Sequence, residues 1–418
     1  MCLNLVGTIR SLSVILFGLL LLPAAVRAET VITNANYTLI VNNSNRVVQL
    51  VLSTNEFNTF AKVGYPSTAD VRNLTTRIYT HFNDQFDFLI LISDQDTVPS
   101  GKYFGLYFEA MNDIAGIGYR MFDSTAYYGS TGTLQGTIHL TSKNGLKGGP
   151  SLHEICHRWG GRLARPADGT SHWGLSSVGG QLGGWLYGSV TSLGGNLYQA
   201  KSPAGNLAFG ATANYGNSVP YSELELYLMG LISTNEVINP IQIALNGVQT
   251  NPSLGQFTAT GFDTLTISNI VATQGARVPN VAAAPKKFRA MVVVLTVAPL
   301  STSRLAQYDA DVRRFSLPGS DGSSAYNFWE ATGGRAEMQM DGLVPKVAIV
   351  PSLGVLTQGS SIILSWPASA VGFVLESRTN LAPALPWSAV TPAPVIVNGQ
   401  NVVTNPISTD ANFYRLKK

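Results

Sequence analysis

The spacing of hydrophobic positions changes period several times along the chain, and those changes mark its elements. Residues 31–53, VITNANYTLIVNNSNRVVQLVLS, alternate apolar and polar positions, which predicts two strands joined by the Asn-rich turn NNSN. From Pro66 the spacing becomes helical: Val71, Leu74, Ile78 and Phe82 share a face, with Ser67 as N-cap and Asn83-Asp84 as the stop. His81 falls in the last turn of that helix and reads as structural. FDFLILIS at 86–93 is an almost unbroken apolar run, expected of a strand covered on both faces. Residues 101–142 read as further strands and turns and end in TLQGTIHLT, with His139 facing a cleft or plain surface. FRAMVVVLTV at 288–297 predicts another buried strand. A helix with Leu305, Tyr308, Val312 and Phe315 on one face follows it, then a short helix, SAYNFWEAT, stopped by Gly333-Gly334.

Two stretches lack a clear period. Residues 174–216 are crowded with glycine around Trp185, Tyr187, Tyr198 and Tyr215, so tight turns and little regular structure are expected, as loops at a cleft rim or as an irregular structural segment. Residues 236–285 are polar and weakly periodic. The composition shifts near Pro345, beyond which IILSWP, GFVLESR, PVIVNGQNVVTN and NFYRLK read as four short strands. Asn398-Gly399 is a type I′ hairpin signal, and Trp366, Phe373, Leu375, Trp387 and Phe413 are the expected core of that tail. The pattern predicts an α+β chain: a segment 1–28, a mixed-sheet domain 29–344 and a small all-β, sandwich-like module 345–418.

The chemistry concentrates at SLHEICHRWG, residues 151–160, where His153, Glu154 and His157 spell HExxH. On a helix, residues four apart share a face, so both imidazoles reach one ion while Glu154 stands beside a water that the ion acidifies. Zinc is the implied metal and Glu154 the candidate general base. A different reading makes Ser151 and Glu154 a capping box, which leaves the i, i+4 histidines unexplained. A catalytic zinc needs a third protein ligand and an open position. Of only five histidines in the chain, His172 is the nearest supplier, with Asp168 and Glu225 as fallback ligands. Pro150 and Gly160-Gly161 bound a helix of about ten residues. Cys156, inside the motif, reads as a small core residue, and Arg158 as the partner of a carboxylate on the substrate or the protein.

Residues 1–28 join an early Arg10 to the apolar run SVILFGLLLLPAAV and to Val26-Arg27-Ala28, the pattern of an export signal cleaved after Ala28. Its apolar core is shorter than the ~20 residues a membrane span needs. Removal of Arg10 and Arg27 would leave 25 basic residues against 24 acidic, which gives no electrostatic case for nucleic acid. Cys2 would leave with that segment, so Cys156 would stand alone and no intramolecular disulfide could form.

HEICHRWG resembles the HExxHxxG start of the metzincin-type zinc metallopeptidases, and YSELELYLMGL at 221–231 resembles their Met-turn segment, with Met229 at the methionine. The resemblance spans roughly residues 85–235. It implies a zincin-like catalytic domain that binds zinc and hydrolyses peptide bonds of an extended protein or peptide substrate laid along an edge strand upstream of the metal helix. Metzincins place the third ligand three residues after the glycine, here Leu163, so carrying it to His172 assumes that RLARPADGTS loops out and returns. A glutamate ligand from a later helix, Glu225, would instead be gluzincin-like. Tyr221 and Tyr227 are candidates to stabilise the oxyanion, with buried structural tyrosines as the alternative. The tail resembles β-modules of secreted bacterial proteins through LSWP and FYRL. A reading of another class is a non-enzymatic secreted surface or adhesion protein with a structural zinc, which would need all four positions filled by protein. No GxSxG elbow supports a serine hydrolase.

Overall fold

The computed structural model describes residues 29–346 apart from 215, and residues 352–417 apart from 369, 371, 382–385 and 409–410. The expected export segment and Tyr215 lie outside the described residues. No described helix is long and apolar enough to cross a membrane.

The architecture is α+β. Strands β1 (Thr30–Thr33), β2 (Thr38–Val41), β3 (Val47–Val51), β4 (Phe88–Ser93), β5 (Gly105–Glu109), β6 (Gly136–Leu140), β7 (Lys287–Thr296) and β8 (Glu337–Gln339) form one mixed sheet. Its order is β1-β2-β3-β7-β4-β6-β5, with β8 beside β7. The centre from β3 to β6 is parallel, whereas β1, β2 and the edge strand β5 run antiparallel to their neighbours. The apolar runs are thus central: β4 is buried throughout, and β7 is buried from Ala290 to Thr296. The first alternating stretch makes three strands where two are expected, because a turn between Thr33 and Thr38 interrupts it.

Side-chain alternation along these strands feeds two cores. Leu89, Leu91, Met291 and Val293 face helices α1 (Thr54–Ala61) and α2 (Thr68–His81) through Phe60, Val71, Leu74 and Ile78. Ser67 and Asp70 cap α2 reciprocally, and His81 takes a hydrogen bond with Tyr37 Oη at 2.9 Å, a structural role. Ile90, Ile92, Val292 and Val294 face the other core, with α3 (Ser151–Cys156), α4 (Glu223–Met229) and α5 (Thr302–Phe315). Tyr308, Val312 and Phe315 of α5 are buried there, as its spacing predicts.

The glycine-rich stretch corrects the expectation of rim loops. Thr191–Gly194 and Leu197–Gln199 pair into a four-stranded sheet with Val248–Asn251 and Gln256–Thr258. Trp185, Ala200, Phe209, Phe257 and Ala259 give it a core of its own, with Trp185 stacked on Phe257 at 4.9 Å between ring centres. Aromatic burial, drawn partly from the polar stretch that follows, orders what glycine spacing leaves open.

The contact pattern divides the chain into two compact units, with the break after Pro345. In the second unit, Ser361–Pro367 lies between Gly354–Gln358 and Gln400–Pro406, and Val374–Arg378 lies between Ser388–Ala389 and Phe413–Lys417. Leu364, Trp366, Leu375 and Val403 are its core. Asn398 and Gly399, both at positive φ, turn Val395–Val397 back onto Gln400–Pro406, as the hairpin signal predicts. Trp387 is not core: it is half-buried between the guanidinium groups of Arg378 and Arg415, at 4.5 and 4.3 Å.

Candidate metal centre

Helix α3 is six residues long, shorter than expected, and His157 is its C-cap in right-handed helical geometry. One turn therefore carries both histidines. The capping-box reading is corrected here: Ser151 Oγ donates to the Leu146 carbonyl at 2.7 Å, Pro150 is the N-cap, and no side chain caps from that position. Asn217 secures the helix start. Its Oδ1 accepts the Leu152 N–H at 3.2 Å, and its Nδ2 donates to the carbonyls of Leu146 and Lys147 and to Ser151 Oγ. No local spacing announces Asn217, which acts across more than sixty positions of sequence.

After His157 the chain turns on Gly160-Gly161. A Cβ on Gly161, at φ +80°, would stand 2.0 Å from the Ser171 carbonyl oxygen, so the outgoing and returning strands of the insertion touch at a position open to glycine alone. The Asp168 N–H donates to the His172 carbonyl at 3.0 Å and closes the loop. His172 is thereby returned to the other two. The rings of His153, His157 and His172 have centres 4.8–5.3 Å apart, and one ligand nitrogen from each lies within 4.8 Å of the others. This is the only such grouping of His, Cys, Asp or Glu among the described residues.

The donor set fits a zinc ion. Two nitrogens on a tetrahedral zinc, each at about 2.0–2.1 Å from it, stand roughly 3.4 Å apart; His153 Nε2 and His157 Nε2 are 3.1 Å apart. His153 Nδ1 donates to the Gln181 carbonyl at 2.8 Å, which leaves Nε2 an unprotonated lone pair. His172 is oriented alike: Thr170 Oγ1, which donates to Asp168 Oδ1 at 2.6 Å, accepts from His172 Nδ1 at 3.1 Å. Burial, against the Gln181 hydrogen bond and with the His172 imidazole, pushes His153 down to about 4, and burial with the His153 and His172 imidazoles pushes His157 well below its ordinary value. Burial also lowers His172, against the pull of Asp168. Neutral imidazoles whose lone pairs turn towards a shared space, as at His153 and His172, are what a cation requires.

Glu154 lies on the same turn, 5% exposed, and burial lifts its carboxyl to about 8. No hydrogen-bond partner of that carboxyl occurs among the described residues. It abuts the edge strand: a Cβ on Gly105 would stand 2.6 Å from Glu154 Oε1, so the absent side chain is what admits the carboxyl there. Phe104 and Ala110 bond inward, to the Thr141 N–H and the Gln135 carbonyl. By the alternation of an antiparallel ladder, Gly105 and Tyr107 then turn their backbone N–H and C=O groups to the open side, whereas the Glu109 carbonyl, turned the same way, accepts from Tyr128 Oη at 3.1 Å.

This corrects the expected edge. The strand TLQGTIHLT is interior, paired on both sides, and the free edge is Gly105–Glu109. His139 is accordingly fully buried and faces away from α3: its ring meets Phe60, and its nitrogens bond Ser93 Oγ at 2.9 Å and Tyr103 Oη at 2.7 Å. It is neither a cleft nor a surface residue.

Both fallback ligands are also corrected. Asp168 bonds the Thr170 N–H and hydroxyl and stays outside the histidine group. Glu225, fully buried, accepts from Trp173 Nε1, Leu182 N–H, Gln181 N–H and Ser222 N–H at 2.9–3.0 Å, which occupies both oxygens. The oxyanion candidates are corrected likewise. Tyr221 Oη donates to the Leu152 carbonyl at 2.9 Å and Tyr227 Oη accepts the Arg277 N–H at 3.2 Å, both buried in the protein's own network. Met229 is buried in the core that holds Leu152, Ile155 and Trp159, at the end of α4, where Gly230 turns left-handed. Arg158 pairs with the protein: its guanidinium reaches Asp113, Asn112 and Gln135. No protein-family model, curated protein or solved structure matches this chain.

Proposed function

We propose that this chain is an exported, metzincin-like zinc metallopeptidase that cleaves peptide bonds of protein or peptide substrates. The observation that carries the reading is the convergence of three neutral imidazole nitrogens beside Glu154, at the end of an open strand edge. His153, His157 and His172 would hold the ion, and the described residues offer no fourth protein ligand, which favours an open catalytic position over a closed structural one. Bound zinc supplies positive charge that polarises a carbonyl and acidifies water. The chain's own part is then positional. Gly105 and Tyr107 offer an extended substrate backbone hydrogen bonds by strand addition. Glu154, whose carboxyl has no hydrogen-bond partner among the described residues and abuts Gly105 of the edge strand, takes the proton of the attacking water and returns it to the leaving amine.

The test is Glu154→Gln in the zinc-loaded full chain, assayed on an unfolded polypeptide. The amide keeps the shape and cannot take the proton, so zinc content stays at about one per chain while turnover drops at least about a hundredfold. Wild-type turnover by this variant removes Glu154 from the chemistry.

A further inference from the structure

Glu225 is the carboxylate at which the supports of His153 and His172 meet. Its Oε2 accepts the Gln181 N–H at 3.0 Å, and the Gln181 carbonyl is the group that takes His153 Nδ1–H. Its Oε1 accepts the Trp173 indole N–H at 2.9 Å, and Trp173 follows His172 directly. His153 is therefore one hydrogen bond, and His172 one peptide unit, from a group that Glu225 holds. The remaining acceptor capacity ties the same oxygens to Leu182 N–H and to Ser222 N–H, the start of α4. Three segments far apart in sequence, the metal helix, the returned loop and residues 181–182, are referenced to one side chain on a fourth.

We propose that Glu225 is a positioning residue of this metal centre, fixing the His153 and His172 imidazoles against one another without touching the ion. The inference rests on the metal-binding reading above for its ion, and on the hydrogen bonds alone for its geometry. Rigid supports of this kind set how far ligands are preorganised, and their loss lowers metal affinity by about 10–100-fold where the ligands themselves remain. A carboxylate suits the role because it accepts from several donors and competes for none of them.

The experiment compares full-length wild type, Glu225→Gln, Trp173→Phe and Val71→Ala, the last a core truncation on the opposite face of the sheet. Zinc affinity is measured by competition with a chromogenic chelator, and the visible spectrum of the cobalt(II)-substituted protein reports ligand geometry. Glu225→Gln is expected to bind zinc about 10–100-fold more weakly with a changed cobalt spectrum. Trp173→Phe, which loses one donor, is expected to show a smaller loss, while Val71→Ala keeps wild-type affinity and spectrum although destabilised. Wild-type affinity and spectrum in Glu225→Gln overturn the proposal, and so does an equal loss in Val71→Ala. Should Glu225→Gln fail to fold, Trp173→Phe decides on the same two readouts. Metal-free protein labelled with nitrogen-15 at histidine supplies a readout that needs no ion: the His153 Nδ1 proton is slow to exchange in wild type, and faster exchange is expected in Glu225→Gln or Trp173→Phe. Should wild type bind no zinc, the peptidase reading fails by itself. Glu225 is then judged on this proton, and unchanged exchange in both variants overturns it.

Discussion

His153 and the Glu225 carboxylate are buried and His157 and His172 half-buried, yet the imidazole and carboxylate electron pairs meet opposite surroundings. His153 and His172 each spend Nδ1–H on an oxygen, and burial keeps the rings neutral, so their remaining lone pairs face a shared space beside His157 Nε2, which is 3.1 Å from His153 Nε2. Glu225 spends both oxygens on four N–H donors. Burial raises its pKa while the donors lower it, and the group is consumed as structure. Residue type therefore does not separate a ligand from a support. What separates them is whether the fold leaves a lone pair unused.

The comparison breaks most sharply at the histidines. His153→Ala and His157→Ala are each expected to abolish stoichiometric zinc binding, and His172→Ala to weaken it by several orders of magnitude, as read by metal analysis after dialysis. Full zinc occupancy in any of the three would put the ion elsewhere. Glu225→Gln leaves the ligands in place but sets an amide N–H₂ against buried donors, so a loss of about 1–3 kcal/mol in unfolding free energy is expected from denaturant titration. A loss within error would mean that the network is not strained by the amide.

A third buried polar centre sharpens the same contrast through pH. His139 has both nitrogens occupied, and burial, with Lys102 nearby, pushes it down to about 3. The unfolded chain binds a proton at this ring below about pH 6.5 and the folded protein refuses it, so falling pH favours unfolding. The stability deficit is absent above that pH and grows towards pH 3, at up to about 1.4 kcal/mol per pH unit from this ring. Denaturant titrations of wild type and His139→Gln between pH 7 and 4 test this: the variant has the shallower slope, and parallel slopes would remove His139 from the account. The smallest effect is expected at Asp168, which reaches His172 only through Thr170. Asp168→Asn should lower zinc affinity several-fold at most, and a loss as large as that of His172→Ala would make it a ligand.

Much of this molecule is written locally. The helical spacing of Val71, Leu74 and Ile78, the apolar runs of β4 and β7, the break at Pro345 and the Asn398-Gly399 hairpin follow from short-range pattern, because period and turn chemistry act over a few residues. The i, i+4 pair His153 and His157 belongs with them. Other features depend on which segments meet. The edge fell to Gly105–Glu109 instead of the strand holding His139, since strand order is settled by long-range pairing that no single strand encodes. Asn217 caps the metal helix and the Gln181 carbonyl orients His153 through contacts across long sequence separations. The same holds for Glu225, which has the chemistry of metal binding and whose oxygens are taken by donors that tertiary folding brought to them, whereas the donors on Asp168 come from Thr170, two residues on. Sequence fixes which groups own lone pairs; the packed chain alone determines which of those pairs remain free, because each one that is buried must find a partner and the nearest partner is chosen in three dimensions.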